Sequence, residues 1–317
     1  MSRQDLTIRL YKNGDEHGIV RLFKEIFGRE MTLDEWRWKY VESYPQKNYS
    51  SVAVHKDMGI VGHYGSLCLH MIYKGNPAGG LVICDVMIHP KFRGLKTLKE
   101  LSYLPPPEGL KDGLILGYGF PNRETLLKPA LSLRIYEKVE DVLEAYKKVA
   151  FHNDVTRYKY KLFHLDYSDI MIDHLWESCK NNFTLAVVRD RKYLTWRYKN
   201  HPVFSYELLG LKKRMGNQLV AIAVLKREET RALIMDFVFS KGSLKPLVKK
   251  LENYIHSIGI KTMVLWSPPF MEKAFIENGL STKTAITSIP RTTHERTLTK
   301  DDMKGHFFYT MGDTDFL

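Results

Sequence analysis

Three short motifs recur along the chain in the same order, about 150 residues apart, which is the signature of a repeated structural unit. The pairs are Trp38-Lys39-Tyr40 with Trp196-Arg197-Tyr198, Asp85 with Asp236, and Pro121 with Pro268. Each aspartate interrupts an apolar run, and each tryptophan motif is followed closely by a proline. Because three ordered pairs in matching contexts are hard to obtain by chance, we predict two copies of one domain, residues 1–151 and 152–317.

The hydrophobic pattern predicts the same succession of elements in both copies: helix, hairpin, buried strand, loop, helix and strand. In the first copy we expect a helix over 16–27, a hairpin over 51–55 and 60–73, a loop over 74–80, and strands over 81–88 and 113–120. In the second copy we expect helices over 170–179 and 244–255, a hairpin over 206–213 and 218–226, and strands over 233–239 and 262–266. The predicted fold class is α/β (α+β), with a mixed, largely antiparallel sheet and helices on both faces in each domain.

The first copy contains a strand, a basic loop and a helix in direct succession. Residues 81–88 are apolar except for Asp85, which is typical of a strand buried on both faces. Pro90 ends that strand, and a basic loop over 91–96 leads into leucines at helical spacing. The first N–H groups of such a helix lack partners and favour an anion, so this stretch predicts a phosphate site.

Composition limits the class of protein without choosing a partner. The 317 residues carry 48 Lys and Arg against 36 Asp and Glu, a net charge of +12 that favours an anionic partner such as a nucleotide-linked substrate, tRNA or an anionic membrane face. The twelve histidines show no metal-binding spacing, and we expect no metal. We also expect no membrane span and no signal peptide, and three widely spaced cysteines favour buried thiols in a reducing cytoplasm.

The stretch over 81–101 resembles the central motif of the GNAT superfamily of acyl-CoA-dependent N-acetyltransferases. In that family a loop of the form R/Q-x-x-G-x-G/A cradles the coenzyme A pyrophosphate, and Arg93 and Gly94 match its beginning. Lys96 and Leu98 depart from the small residues that the pattern expects. The resemblance implies cofactor contacts at Met87, Ile88, Arg93, Gly94, Leu95, Lys96, Thr97, Leu98 and Asn122. The tyrosine that the family often places in the following helix as general acid is missing, since Leu126 and Leu127 stand there.

The same resemblance implies the catalytic candidates. A backbone N–H near Met87 or Ile88 would polarise the thioester carbonyl, and Asp85 would deprotonate the amine. Asp236 recurs at the matching place in a copy whose loop, 240–244, has no arginine, and this repetition favours a structural role common to both aspartates over catalysis by Asp85. His63 and Tyr64 lie on the hairpin arm that faces the substrate in this family, as a base or a contact; we take Tyr64 with Asp85 as the predicted catalytic pair.

Over nearly the whole length, the tandem arrangement resembles bacterial and archaeal two-domain acetyltransferases linked with polysaccharide or cell-envelope synthesis, and distantly the Fem-type transferases. We therefore predict acetyl-CoA-dependent transfer to an amine of a small molecule, sugar nucleotide or peptide, with one cofactor per chain and an acceptor pocket between the halves. Two alternatives stay open. One is a non-catalytic binding module that has lost its loop glycines, and the other is an aminoacyl-tRNA-dependent transferase, the one case in which we expect nucleic acid as a partner.

Overall fold

A computed structural model describes residues 5–121, 124–151, 158–294 and 297–314. The strands are β1 Leu6–Leu10, β2 Ser51–His55, β3 Gly59–Tyr73, β4 Asn76–Ile88, β5 Leu114–Tyr118, β6 Tyr136–Lys148, β7 Tyr160–His164, β8 Leu185–Val187, β9 Glu207–Lys213, β10 Leu219–Arg227, β11 Arg231–Phe239, β12 Thr262–Ser267, β13 Ser281–Thr292 and β14 Phe307–Phe308. The α-helices are α1 Glu16–Phe27, α2 Leu33–Tyr40, α3 Leu95–Tyr103, α4 Pro105–Lys111, α5 Glu124–Ser132, α6 Met171–Cys179, α7 Arg191–Leu194, α8 Leu244–Ser257, α9 Glu272–Glu277 and α10 Lys300–Met303. A π-helical turn, Thr195–Lys199, continues α7.

Local sequence signals explain why the first two helices form. Helix α1 buries Ile19, Leu22 and Phe23 on one stripe and ends at Gly28, whose left-handed φ of 70° closes the helix. The Thr32 side chain accepts a hydrogen bond from a first-turn N–H of α2, as an N-cap should. Helix α1 has the predicted bounds, 16–27.

Each half of the chain builds a five-strand portion of one large mixed sheet. The order is β1-β2-β3-β4-β5 in the first half and, read from the other edge, β7-β9-β10-β11-β12 in the second. Neighbours within each portion are antiparallel except β4 with β5 and β11 with β12, which are parallel. The predicted fold class, a mixed and largely antiparallel sheet with helices, is confirmed.

One long strand of each half, β6 in the first and β13 in the second, pairs with strands of the other half. Strand β6 pairs with β12 through six residue pairs and also with β13, while β13 reaches β5 through Arg291 and Tyr118. The full path is therefore continuous across the junction, β5-β13-β6-β12. A boundary at residue 151 divides the repeated sequence but not the sheet, and the division of the chain into domains 1–151 and 152–317 remains a prediction.

The repeated tryptophans meet at this junction. The Trp38 indole N–H donates to the Trp196 carbonyl at 2.7 Å, and the Trp196 indole donates back to the Trp38 carbonyl at 2.8 Å. Their rings stack with centroids 5.6 Å apart. This reciprocal contact is what a pseudo-twofold axis between two copies of one unit would produce.

The prediction of a loop over 74–80 was wrong. Lys74 and Gly75 alone form the turn, with positive φ values of 49° and 79°, and β4 begins at Asn76. Gly79 and Gly80 are not turn residues. They lie where side chains of other strands approach the backbone closely, because a Cβ on Gly79 would collide with Leu114 and one on Gly80 with Met71.

Candidate functional site

The sheet opens in each half where its parallel pair of strands diverges. In the first half β4 and β5 stay paired only as far as Val82 and Tyr118, and residues 83–88 of β4 continue beyond that point. In the second half the corresponding pairing ends at Ile234 and Leu265. Backbone N–H and C=O groups on the inner edge of each opening need other partners, so both openings are candidate ligand sites.

Helix α3 begins beside the first opening with free donors. Its hydrogen-bond ladder starts with Leu98, whose N–H donates to the Gly94 carbonyl at 3.1 Å. The N–H groups of residues 95–97 therefore have no acceptor within the helix. An added Cβ on Gly94, the N-cap, would meet nothing within 4 Å, so the space in front of these donors is open.

Basic side chains surround this helix end. Lys91, Arg93 and Lys96 are exposed, and the Arg93 guanidinium is steered by a 3.1 Å hydrogen bond from Nε to the Ile88 carbonyl at the end of β4. The helix dipole adds positive potential at the same point. Together, the loop and the first turn of α3 form a site suited to a phosphate group.

Leu98 does not crowd this site. Its side chain packs against the buried cluster of Ala53, Val61, Tyr64, Phe92 and Leu101. Thr97 is also turned inward, with its hydroxyl donating to the Phe92 carbonyl at 3.1 Å. The exposed part of the predicted loop that faces a ligand is thus Arg93 to Lys96. Thr97 can offer a ligand its backbone N–H but not its hydroxyl. Leu98 can offer neither its side chain nor its N–H, because the N–H already donates to the Gly94 carbonyl.

Asp85 holds helix α2 to the edge of the opening. Its carboxylate accepts from Lys39 Nζ at 2.7 Å and from the Tyr40 hydroxyl at 2.7 Å, and both charged side chains are more than nine-tenths buried. Burial raises the pKa of Asp85, but the lysine charge and the two hydrogen bonds outweigh it and leave the pKa below its usual value. Asp85 has a φ of 44° and forms a β-bulge with Val86 opposite Tyr64.

His63 lies against the same bulge. Its Nδ1 is 2.9 Å from the Asp85 carbonyl, which assigns the proton to Nδ1, while Nε2 is buried without a partner in the part of the chain that the structure describes. Burial lowers the pKa of His63 and keeps the ring neutral near pH 7. A neutral imidazole with an unused lone pair is a chemically capable base.

Tyr64 points to the other face of the sheet, as strand alternation requires. It is fully buried, and its hydroxyl contacts the hydroxyl of Tyr136 on β6. Since β3 and β6 lie on opposite sides of the β4–β5 opening, this contact spans the opening. Burial raises the pKa of Tyr64 well above its usual value. The structure therefore does not bring Tyr64 and the Asp85 carboxylate together, although both border the opening.

The remaining predicted contacts are positioned as follows. Met87 is buried and Ile88 half-buried on β4, directly before the loop. Asn122 lies outside the described residues. Sequence reasoning missed Lys39 and Tyr40 as the partners of Asp85, although their place in the repeated tryptophan motif was a usable signal.

Residues 7–122 match the family model described as an acetyltransferase (GNAT) domain. This part of the first half is therefore similar to a GNAT acetyltransferase domain. No match emerges from a search of curated protein sequences.

Solved structures resemble the whole chain at low sequence identity. An Enterococcus faecalis V583 protein named a probable N-acyltransferase aligns with a TM-score of 0.70 at 12% identity, over 90% of this chain and 72% of that one. A GCN5-related N-acetyltransferase from Anabaena variabilis aligns at 0.65 and 13%, over 90% and 72%. Saccharomyces cerevisiae N-myristoyltransferase with bound myristoyl-CoA aligns at 0.59 and 8%, over 92% and 79%. At these identities the likeness establishes the fold and nothing finer.

The second half uses the equivalent aspartate differently from the first half. The Tyr198 hydroxyl donates to Asp236 at 3.0 Å, as Tyr40 does to Asp85. The cation, however, comes from Arg189, whose Nε lies 2.8 Å from Asp236 and whose other nitrogen lies 2.5 Å from Asp313. Asp313 belongs to the C-terminal segment, so this buried triad fixes that segment to the sheet.

The C-terminal segment occupies the second opening. The Tyr309 hydroxyl donates to the Ser267 carbonyl at the end of β12, and Gly312 packs against the Met235 carbonyl on β11. Arg197, the counterpart of Lys39, donates to the carbonyls of Gly312 and Thr314. The expected packing of the aromatic tail is thereby confirmed for residues 307–309.

The junction between the halves leaves little space. A cavity of about 20 Å³, room for roughly one water molecule, lies among Trp38, Lys39, Trp196 and Asp313. No helix among the described residues is long and apolar enough to cross a membrane, and no described group of His, Cys, Asp and Glu has the arrangement of a metal site.

Proposed function

We propose that this protein is an acyl-CoA-dependent N-acyltransferase that uses only its first half to bind the co-substrate. One observation carries the proposal: the first opening borders an exposed, basic helix end, whereas the second opening contains the chain's own C-terminal segment. The two equivalent openings therefore differ: the second holds the C-terminal segment, and we assign coenzyme A to the first. One cofactor per chain follows from this difference.

The residues beside the first opening fit coenzyme A. The N–H groups of residues 95–97, with the charges of Arg93 and Lys96, suit the pyrophosphate through charge-assisted hydrogen bonds. The unpaired edge of β4 near Met87 and Ile88 offers backbone donors to the thioester carbonyl. Acetyl is the acyl group that we propose, and a pantetheine contact from Asn122 is part of the same proposal.

The acid and base assignments follow from the environments of three side chains. A general base works best when its pKa lies near the working pH, and the lowered pKa of Asp85 makes its ion-paired carboxylate a weak base. We assign proton removal from the amine to His63 Nε2, and we give Asp85 the task of positioning His63 and α2. Tyr64, protonated at neutral pH and on the cofactor face, suits donation to the departing thiolate.

The acceptor is an amine that approaches near Val86, which is 39% exposed beside the opening. The tight junction argues against an approach between the stacked tryptophans without movement of the C-terminal segment. The net charge of +12 favours an anionic acceptor, such as a sugar nucleotide or acidic peptide, and a place in envelope synthesis would be consistent with it.

Calorimetric titration with acetyl-CoA tests the proposal. Arg93→Ala should weaken binding by about 1.5–3 kcal/mol, the range for one charged hydrogen-bonding contact. Lys241→Ala, in the corresponding loop of the second half, is the matched control and should leave affinity unchanged. Equal losses in both variants, or no binding by the unaltered protein, would refute it. Binding without thiol release across a panel of amines would instead support the non-catalytic alternative.

A further inference from the structure

The edge of the sheet farthest from the first half carries a concentrated positive charge. Strand β7 forms this edge and pairs with β9, and the two strands with the turn after β9 make a ribbon. The ribbon carries five cations: Lys159, Lys161, Lys212, Lys213 and Arg214. The one acidic residue of the two strands, Glu207 at the start of β9, forms an ion pair with Arg227, and residues 158–165 and 208–218 contain no aspartate or glutamate. Positive charge is therefore concentrated on this ribbon rather than spread evenly over the protein.

The cations lie side by side rather than being spread out. Lys161 stands directly opposite Lys212, so the two side chains share a face, and the Arg214 N–H donates to the Lys159 carbonyl at the end of the ribbon. Like charges in directly opposite positions destabilise a strand pair. Within the described part of the chain, Lys161, Lys212 and Lys213 form no ion pair with a carboxylate; Lys212 lies over the Phe163 ring and Lys213 bonds the Gln218 amide. An anionic surface would relieve the repulsion.

The tip of the ribbon is apolar. Met215 follows Arg214 directly and is 90% exposed, at a turn closed by Gly216 and Asn217 in left-handed conformations. Tyr158, beside Lys159, is 70% exposed. A flexible thioether and an amphipathic aromatic ring among lysines are the combination that inserts at a lipid headgroup layer.

We propose that this ribbon docks the protein on an anionic lipid bilayer. Its lysines and arginine would contact phospholipid headgroups, and Met215 would bury its side chain at the acyl boundary. The charge complementarity is shared with nucleic acid, and the exposed Tyr158 ring offers one planar group for stacking on a base. The side chain at the leading tip, however, is the thioether of Met215, which does not stack on bases, and this favours lipid. The proposal does not depend on the acyl-transfer assignment.

Co-sedimentation with vesicles tests the docking surface. One vesicle population is phosphatidylcholine alone, and the other is an equimolar mixture with phosphatidylglycerol. Binding is expected only to the mixed vesicles and should fall with added salt. Lys161→Glu with Lys212→Glu should weaken it at least about tenfold, given the contribution of each cation near an anionic surface. Lys12→Glu with Lys273→Glu, two exposed positions elsewhere, lowers the net charge equally and should change binding far less.

Two further measurements keep the test decisive. Met215→Ser should reduce vesicle binding while leaving the affinity for a single-stranded oligonucleotide, measured by fluorescence anisotropy, unchanged. Lys161→Gln with Lys212→Gln covers the case in which the charge reversal disturbs folding, which the far-UV spectrum would reveal. Equal binding to both vesicle types, equal loss in the control pair, or tighter binding to the oligonucleotide than to the mixed vesicles would overturn the proposal.

Discussion

The Lys39–Asp85 pair allows the structural and chemical roles of the aspartate to be separated. Asp85→Asn keeps the shape and the left-handed backbone, which asparagine tolerates, but removes the negative charge that faces Lys39. The two side chains are 6% and 8% exposed. Removing one partner of such a buried pair costs about 3–5 kcal/mol, so we expect a loss of this order in the free energy of unfolding.

A second substitution should restore most of that loss. Lys39→Met combined with Asp85→Asn leaves no buried charge at the site, and replacing a buried pair by uncharged groups is often nearly neutral. The Tyr40 hydroxyl can still donate to the asparagine carbonyl. We therefore expect the double variant to lie within about 1–2 kcal/mol of the unaltered protein, well above the single variant, since it retains hydrogen bonding but loses an ion pair.

The test is to measure urea denaturation and thiol release on the unaltered protein, on Asp85→Asn, and on the double variant Lys39→Met with Asp85→Asn. If Asp85 only positions α2 and His63, activity should return with stability in the double variant. If its charge takes part in proton transfer, stability should return and activity should not. An Asp85→Asn variant as stable as the unaltered protein would refute the reasoning altogether, because the buried pair would then contribute nothing.

Three further outcomes follow from the packing. Gly65→Ala should cost about 1–3 kcal/mol through overpacking, because its Cβ would collide with the Cys84 carbonyl, whereas Gly94→Ala, with open space around it, should not change urea stability. Burial raises the pKa of Asp313 to about 6, above its unfolded value near 3.8, so this group by itself contributes a loss of stability as pH rises from 4 to 7. The change in the free energy of unfolding between pH 4 and pH 7, measured by urea denaturation, should therefore be more favourable in Asp313→Asn than in the unaltered protein. A fragment of residues 1–151 should show no cooperative thermal unfolding, because β6 would lose both of its neighbouring strands; cooperative melting would contradict the strand exchange.

Sequence reasoning succeeded where structure is specified locally. The stripe of Ile19, Leu22 and Phe23 and the stop at Gly28 suffice to define α1, since helix periodicity and capping depend on residues close together in the chain. The loop at Arg93 was also found, because a buried strand followed by a proline and a basic turn is a local pattern. The repeat of the tryptophan motif correctly placed two equivalent helices.

The pairing of strands that are distant in the chain could not be predicted from local sequence patterns. Nothing in residues 136–148 distinguishes a strand that pairs within its own half from one that crosses to β12, because alternation specifies the faces of a strand and not its neighbours. The glycines at 79 and 80 were misread for a similar reason. They were taken as turn residues, whereas contacts with Met71 and Leu114, in other strands, require their small size.

The two aspartates show why repetition alone could not assign function. Asp85 and Asp236 each accept a hydrogen bond from the tyrosine of the repeated motif. In each copy the carboxylate is therefore needed to hold the helix that carries this motif to the strand that carries the aspartate. An opening in a sheet must also have its backbone groups satisfied, by a ligand or by the chain itself. In the second half Arg189 links Asp236 to Asp313, and the tail fills the opening. In the first half the cation is Lys39, within the motif itself, and we propose that this opening receives the ligand. A residue kept for folding in both copies can therefore border a functional site in only one of them.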